Sequence, residues 1–248
     1  MSRSINQLHG NKLEATDGEI GHVKDFYFDD QDWAVRYVAV ETGAWLTSRQ
    51  VLLSPHAFGG FPRFENTLPV NLSRKQIENS PAIEWHRPVS RQFEEEYHRY
   101  YGWPCYWEGD GLRTFPVSEP AKKTLPGTAR AAIAKKQNDA GAHLRNTQVV
   151  RGYRVQGSNG IAGHISDFMM NQKTWVIDGL VIKTGRRFSE NEVVIPVSKL
   201  SRVNHDESTV YVDMTREAIA QSHRQTPVPG IDTKGVHLTR LPARLALP

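Results

Sequence analysis

The sequence predicts a mainly β protein made of two small β-barrels, each followed by a short C-terminal helix, with an aromatic segment and a flexible linker between them. Three observations carry this expectation. The stretch from Gly18 to Gly43 returns as Gly160 to Gly185, and an offset of 142 pairs Gly21 with Gly163, His22 with His164, Asp25 with Asp167, Phe26 with Phe168 and Trp33 with Trp175 without a gap. Self-similarity at fixed spacing marks one structural unit used twice. Within each copy, short runs rich in β-branched and aromatic residues are separated by turn-forming residues, the pattern of short strands in a barrel or sandwich. Ser73 and Thr215 stand at equivalent places ahead of short segments holding Ile77 and Ile219, as N-caps of two short helices.

In the first copy, Lys12–Glu14 reads as a short strand and Thr16-Asp17-Gly18 as the turn after it, glycine accepting positive φ without steric cost. Gly21–Phe28 follows as a strand, Asp29–Asp32 as a polar turn, and Trp33–Glu41 as the strongest strand. Alternation puts Trp33, Val35 and Tyr37 on one face and Ala34, Arg36, Val38 and Val40 on the other. Gln50–Leu53 and Thr67–Asn71 complete the set. The second copy repeats the plan with Gly163–Met170, Thr174–Thr184, Glu192–Ile195 and Val210–Asp213.

The expected domains are residues 5–82 and 145–222, with a connector over 83–144 and a disordered tail over 223–248. The connector begins aromatic. Phe93, Tyr97 and Tyr100 or Tyr101 recur at helical spacing over Ser90–Tyr101, and Gly102 and Pro104 stop the helix. From Gly109 to Asn146 aromatics give way to Pro, Gly, Ala and Lys, which predicts a basic linker. Tyr97, Tyr100, Tyr101, Trp103, Tyr106 and Trp107 form the candidate interaction surface, because Tyr and Trp suit a face with one wet and one dry side. Stacking on single-stranded nucleic acid wants basic residues among the rings. Here Glu94, Glu95 and Glu96 are interleaved, with the acidic run expected to face solvent or a basic patch, so packing on a barrel or another subunit is favoured.

The chain of 248 residues carries a net charge of +4, which permits contact with nucleic acid or anionic lipid without implying it. A single cysteine, Cys105, excludes an internal disulfide framework and suits a reducing compartment. No apolar run reads as a secretory leader or a membrane span, so a cytoplasmic location is expected. Catalytic, cofactor and metal sites are read as none. His22 and Asp25 lie three apart on a strand and point to opposite faces, as do His164 and Asp167. Asp29-Asp30-Gln31-Asp32 reads as a solvated turn, since Lys173 interrupts the equivalent stretch and argues against calcium. Gly21, Asp25, Trp33, Gly163, Asp167 and Trp175 are structural repeat positions, the two tryptophans as core plugs.

Both copies resemble the PRC-barrel family. The first carries Asp17-Gly18-x-x-Gly21-x-Val23-x-Asp25, Trp33-x-Val35-Arg36-Tyr37-Val38, Val51-Leu52-Leu53-Ser54-Pro55 and Leu72-Ser73-x-x-Gln76-Ile77. The second carries Gly160-x-x-Gly163-x-Ile165-x-Asp167, Trp175-x-Ile177, Val193-Val194-Ile195-Pro196 and Met214-Thr215-Arg216-x-x-Ile219. The tandem arrangement resembles bacterial double-PRC-barrel proteins. The resemblance implies a six-stranded barrel used as an adaptor, as in the cytoplasmic domain of the photosynthetic reaction-centre H subunit and the C-terminal domain of a ribosome maturation factor. The expected function is accordingly a non-catalytic protein-binding scaffold with a protein partner or self-association. The alternatives are regulation of a photosynthetic electron-transfer complex and association with RNA or the ribosome.

Overall fold

The computed structural model describes residues 1–46, 49–61, 66–81, 89–107, 143–185 and 191–222. The predicted linker up to residue 142 and the predicted tail lie outside these residues. The fold is mainly β, with two sheets of matching plan. The first contains β2 (Lys12–Ala15), β3 (Gly18–Asp29), β4 (Val35–Thr42), β5 (Gln50–Leu53) and β6 (Thr67–Pro69), in the order β5-β4-β3-β2-β6. The second contains β8 (Arg154–Gly157), β9 (Gly160–Asn171), β10 (Ile177–Thr184), β11 (Asn191–Pro196), β12 (Leu200–Asn204) and β13 (Thr209–Val212), in the order β11-β10-β9-β8-β13-β12. Among the described residues neither sheet closes on itself. The first parallel pairing, β2 with β6, has its counterpart in β8 with β13.

Each sheet takes one strand from the segment that leads into the other copy. β1 (Ser2–Ser4) pairs with β9, and β7 (Leu144–Asn146) pairs with β3. These two strands are themselves 142 residues apart, so the exchange is reciprocal. Each visitor docks on the edge of the long strand beyond the point where β2 or β8 stops. The visitors are locked by side chains as well as by the ladder. Ser4 donates its hydroxyl to the buried Asp167 carboxylate, and Thr147 donates to Asp25 Oδ1 at 2.5 Å. Asp25 and Asp167 also each accept from the next backbone N–H in their own strand, at 2.7 Å.

That local bond exists because both long strands are bulged. Register shifts fall at Lys24 and Arg36 in one copy and at Ser166 and Asp178 in the other. An extra residue breaks the ladder and flips the side-chain phase, which turns Asp25 inward next to buried Phe26 and Asp167 inward next to buried Phe168. Burial pushes both carboxyls above the ordinary aspartate range, and the hydroxyl bonds counteract it in part.

Trp33 and Trp175 do not open the central strands, as their β propensity suggests. They sit in the preceding turns at φ 61° and 55°, and the strands start two residues later at Val35 and Ile177. A left-handed backbone is uncommon for a bulky residue. Here each turn lies against the other copy: Val35 N donates to Trp175 O and Ile177 N to Trp33 O, both at 2.8 Å, around the bridge Ala34–Val176. Trp175 is buried, as expected of a core plug, whereas Trp33 is half-buried, stacked on Phe28 at 5.3 Å.

The helices close the ends. α1 (Arg74–Glu78) starts in a capping box of Ser73 and Gln76, and α2 (Arg91–Tyr101) runs from its N-cap Ser90 to Gly102 at φ 69°. α3 (Thr147–Val150) follows β7, and α4 (Arg216–Ala220) is capped by Thr215. Buried apolar side chains from both copies form one continuous cluster, from Leu13, Phe26 and Phe28 to Phe168, Ile177 and Ile219. The repeat predicts two separate cores; the exchanged strands and the joined turns merge them.

Candidate functional sites

α2 lays its aromatic face on the outer side of the first sheet. Tyr97 is fully buried against Tyr37, Ala39 and Leu52, and its hydroxyl donates to the Leu52 carbonyl. Ala39 is small and leaves room for the Tyr97 ring. The chain then folds back over the helix, so that Tyr101 and Trp103 stack at 4.3 Å and 12°. Arg36 lies 4.0 Å above the Tyr106 ring and Arg91 4.0 Å above the Trp107 ring. Cation–π contacts of this kind hold rings in place without closing them to water.

Of the candidate surface residues, Tyr97 is buried and makes the foundation. Tyr101, Trp103, Tyr106 and Trp107 are half-buried, and Tyr100 is 41 % exposed, its hydroxyl tied to the Gln76 carbonyl at 2.8 Å. His56 stacks on the far side of the rim, 6.2 Å from Trp103. The six residues therefore form one ordered layer with Tyr100, Tyr101 and Trp103 along its rim.

Beneath this layer lies a polar chain that helical spacing did not reveal. Glu94 is buried rather than solvent-facing, because it sits one turn before Tyr97 and His98 on the inner face of α2. Its Oε1 accepts from the Tyr106 hydroxyl at 2.6 Å and lies 2.9 Å from Tyr37 Oη; its Oε2 lies 3.0 Å from the Arg91 guanidinium. Tyr37 Oη is also 3.0 Å from His98 Nε2, and His98 Nδ1 is 3.0 Å from the Pro104 carbonyl. Burial pushes the Glu94 carboxyl up and the His98 imidazole down to about 4.

A second constellation lies where the two copies meet. Asp30 Oδ1 accepts from His143 Nδ1 at 3.1 Å, and its Oδ2 faces Arg145 Nε at 2.8 Å and His205 Nε2 at 2.7 Å. Arg145 Nε is also 3.1 Å from His205 Nε2. That nitrogen cannot donate to one and accept from the other, and the shorter, charge-assisted bond to Asp30 takes its hydrogen. Tyr153 Oη then faces His205 Nδ1 at 3.4 Å, while Gln31 Nε2 faces His143 Nε2 at 2.9 Å. Asp30, Gln31, His143, Arg145 and His205 line one wall of a cleft of about 410 Å³, whose other walls include Trp33, Val197, Leu200 and Val203.

The acidic turn is therefore not simply solvated. Asp29 Oδ1 and Asp32 Oδ1 accept backbone N–H groups, Asp32 Oδ2 pairs with Arg36 at 2.5 Å, and Asp30 holds the cleft wall. Among the described residues no set of three His, Cys, Asp or Glu side chains is arranged to hold a metal ion. His22 and His164 are exposed while Asp25 and Asp167 are buried, so neither pair converges. Gly21 and Gly163 sit where the neighbouring strand passes closest, against the carbonyls of Glu41 and Lys183. No helix among the described residues is long and apolar enough to cross a membrane.

No curated protein matches the chain. The second copy, from α3 to α4, is similar to a known domain: residues 149–219 match the family model of the PRC-barrel domain.

Proposed function

We propose that the protein is a cytoplasmic, non-catalytic protein-binding scaffold in which residues 5–82 form a second, diverged PRC-like unit beside the matched one. The repeated strand plan, bulges, capped helices and reciprocal strand exchange support the tandem reading, and the lone Cys105 suits a reducing compartment. The observation that carries the binding function is the ordered rim of Tyr100, Tyr101 and Trp103, built on the buried Tyr97. Tyr and Trp dominate interface hot spots, and rings already fixed by stacking lose little entropy when a partner lands on them.

The test is affinity capture on the full chain followed by quantitative mass spectrometry, with the recovered partner purified and its affinity measured. Tyr100→Ala and Trp103→Ala should each weaken that affinity at least about tenfold, the range of an interface hot spot. A partner bound equally well by wild type and both variants would place the interface elsewhere.

A further inference from the structure

The two tryptophan turns occupy equivalent places in unlike surroundings. Trp175 packs against Phe58 and Phe61, with ring centroids 5.1 and 4.7 Å away. The 142-residue offset carries these two phenylalanines to Leu200 and Val203, and Trp175 back to Trp33. Two phenyl rings are therefore missing at the second joint, and the cleft of about 410 Å³ lies there. Protein interiors are close-packed with few voids, and clefts of roughly 300–1,000 Å³ with apolar walls and a few placed polar groups are where small molecules bind.

The polar wall departs from the repeat in the same place. Asp30, His143 and Arg145 correspond to Gln172, Met1 and Arg3, so the Asp–His–Arg set belongs to the open joint alone. A purely structural device of the fold would be found at both joints. Among its arginines and carboxylates the lining carries Arg145 and Arg202 against Asp30, a net charge of +1. The bond that Arg145 makes at this wall, to Asp30, leaves from Nε, which leaves its Nη edge for a planar anion. Arg202 is held 4.3 Å above the Tyr211 ring at the cleft edge.

We propose that this cleft binds a small aromatic carboxylate, its ring lying between Trp33, Leu200 and Val203 where the other joint has phenylalanines, and its carboxylate on Arg145. The probes are phenylacetate, the neutral phenylacetamide and acetate, titrated into the full chain by calorimetry. Phenylacetate should bind, with the amide and acetate at least about tenfold weaker, since each lacks one of the two recognised features. Arg145→Gln should lower phenylacetate affinity to that of the amide. The double substitution Leu200→Phe with Val203→Phe should abolish binding with no fall in thermal midpoint, because it rebuilds the packing of the closed joint. The proposal is overturned if phenylacetate gives no binding at about 10 mM, if the amide binds equally, or if Arg145→Gln leaves the affinity unchanged. Should the double variant fold poorly, the acid-to-amide ratio and Arg145→Gln decide alone.

Discussion

The buried chain from Glu94 through Tyr37 to His98 imposes a proton count. His98 Nδ1 faces a carbonyl and must carry a hydrogen, so a neutral imidazole can only accept at Nε2. Given to Glu94 Oε1, the single hydrogen of Tyr37 leaves that nitrogen unpaired; given to His98, it requires a proton on the carboxyl. The shifts of both groups favour this arrangement: Glu94 is raised and His98 depressed, each chiefly by burial. Their signs in the pH dependence of stability are opposite. The Glu94 contribution is fully present below its unfolded value of 4.5 and is lost as pH rises through the raised folded value. The His98 contribution is present above 6.5 and is lost as pH falls towards about 4. Glu94→Gln supplies an N–H towards Tyr37, with Tyr106 turning its hydroxyl to accept from the same amide, and removes the first dependence. It should be at least as stable as wild type at pH 8 in urea denaturation, with the advantage shrinking at pH 5. A loss of more than about 2 kcal/mol at pH 8, the scale of an orphaned buried hydrogen bond, would mean that the ionised carboxylate paired with Arg91 is the stable form.

Among the elements, the long strands depend on close approach as much as on side-chain packing. A Cβ on Gly163 would run into the Lys183 carbonyl of β10, a backbone atom that has nowhere to go. Gly163→Ala should therefore cost about 2–3 kcal/mol, the range of overpacking in a core, and a chemical-denaturation loss under about 0.5 kcal/mol would show that the strands can part without penalty. The strands, caps and repeat were legible in the sequence because they rest on local pattern: Val and Ile runs, Ser73 and Thr215, and a gapless offset. The strand exchange was not, since Ser2-Arg3-Ser4 and Leu144-Arg145-Asn146 carry no apolar alternation and their partners lie more than a hundred residues away. Nor did strand propensity disclose the left-handed turns at Trp33 and Trp175, which bonds between the copies hold in place. Tyr100 and Tyr101 of the rim stood out as aromatics at helical spacing, and Trp103 as a further aromatic just past the helix stop at Gly102. The cleft did not, because Asp30, His143 and His205 converge from three distant stretches with no shared motif.

Among the described residues the larger core cluster runs through both sheets, and each sheet takes a strand from the other copy, so neither half is complete alone. Fragments 1–107 and 143–222 produced as separate chains should each fail to give a cooperative unfolding transition, yet recover one when mixed, with a midpoint that rises with protein concentration. Independent transitions from the two separate fragments would contradict the shared core. Joined in one chain, the halves meet at a raised effective concentration. Changing the connector length should matter little, since each doubling of a loop costs only about 0.6 kcal/mol. Chains lengthen at roughly 5–20 residues per second, and the strand and hydroxyl that complete the first sheet, Leu144–Asn146 and Thr147, lie some forty residues beyond Trp107. The first half thus leaves the ribosome with the edge of β3 bare and Asp25 without its Thr147 bond, and stays so for several seconds, an interval in which a chaperone or a neighbouring nascent chain can take the vacant place.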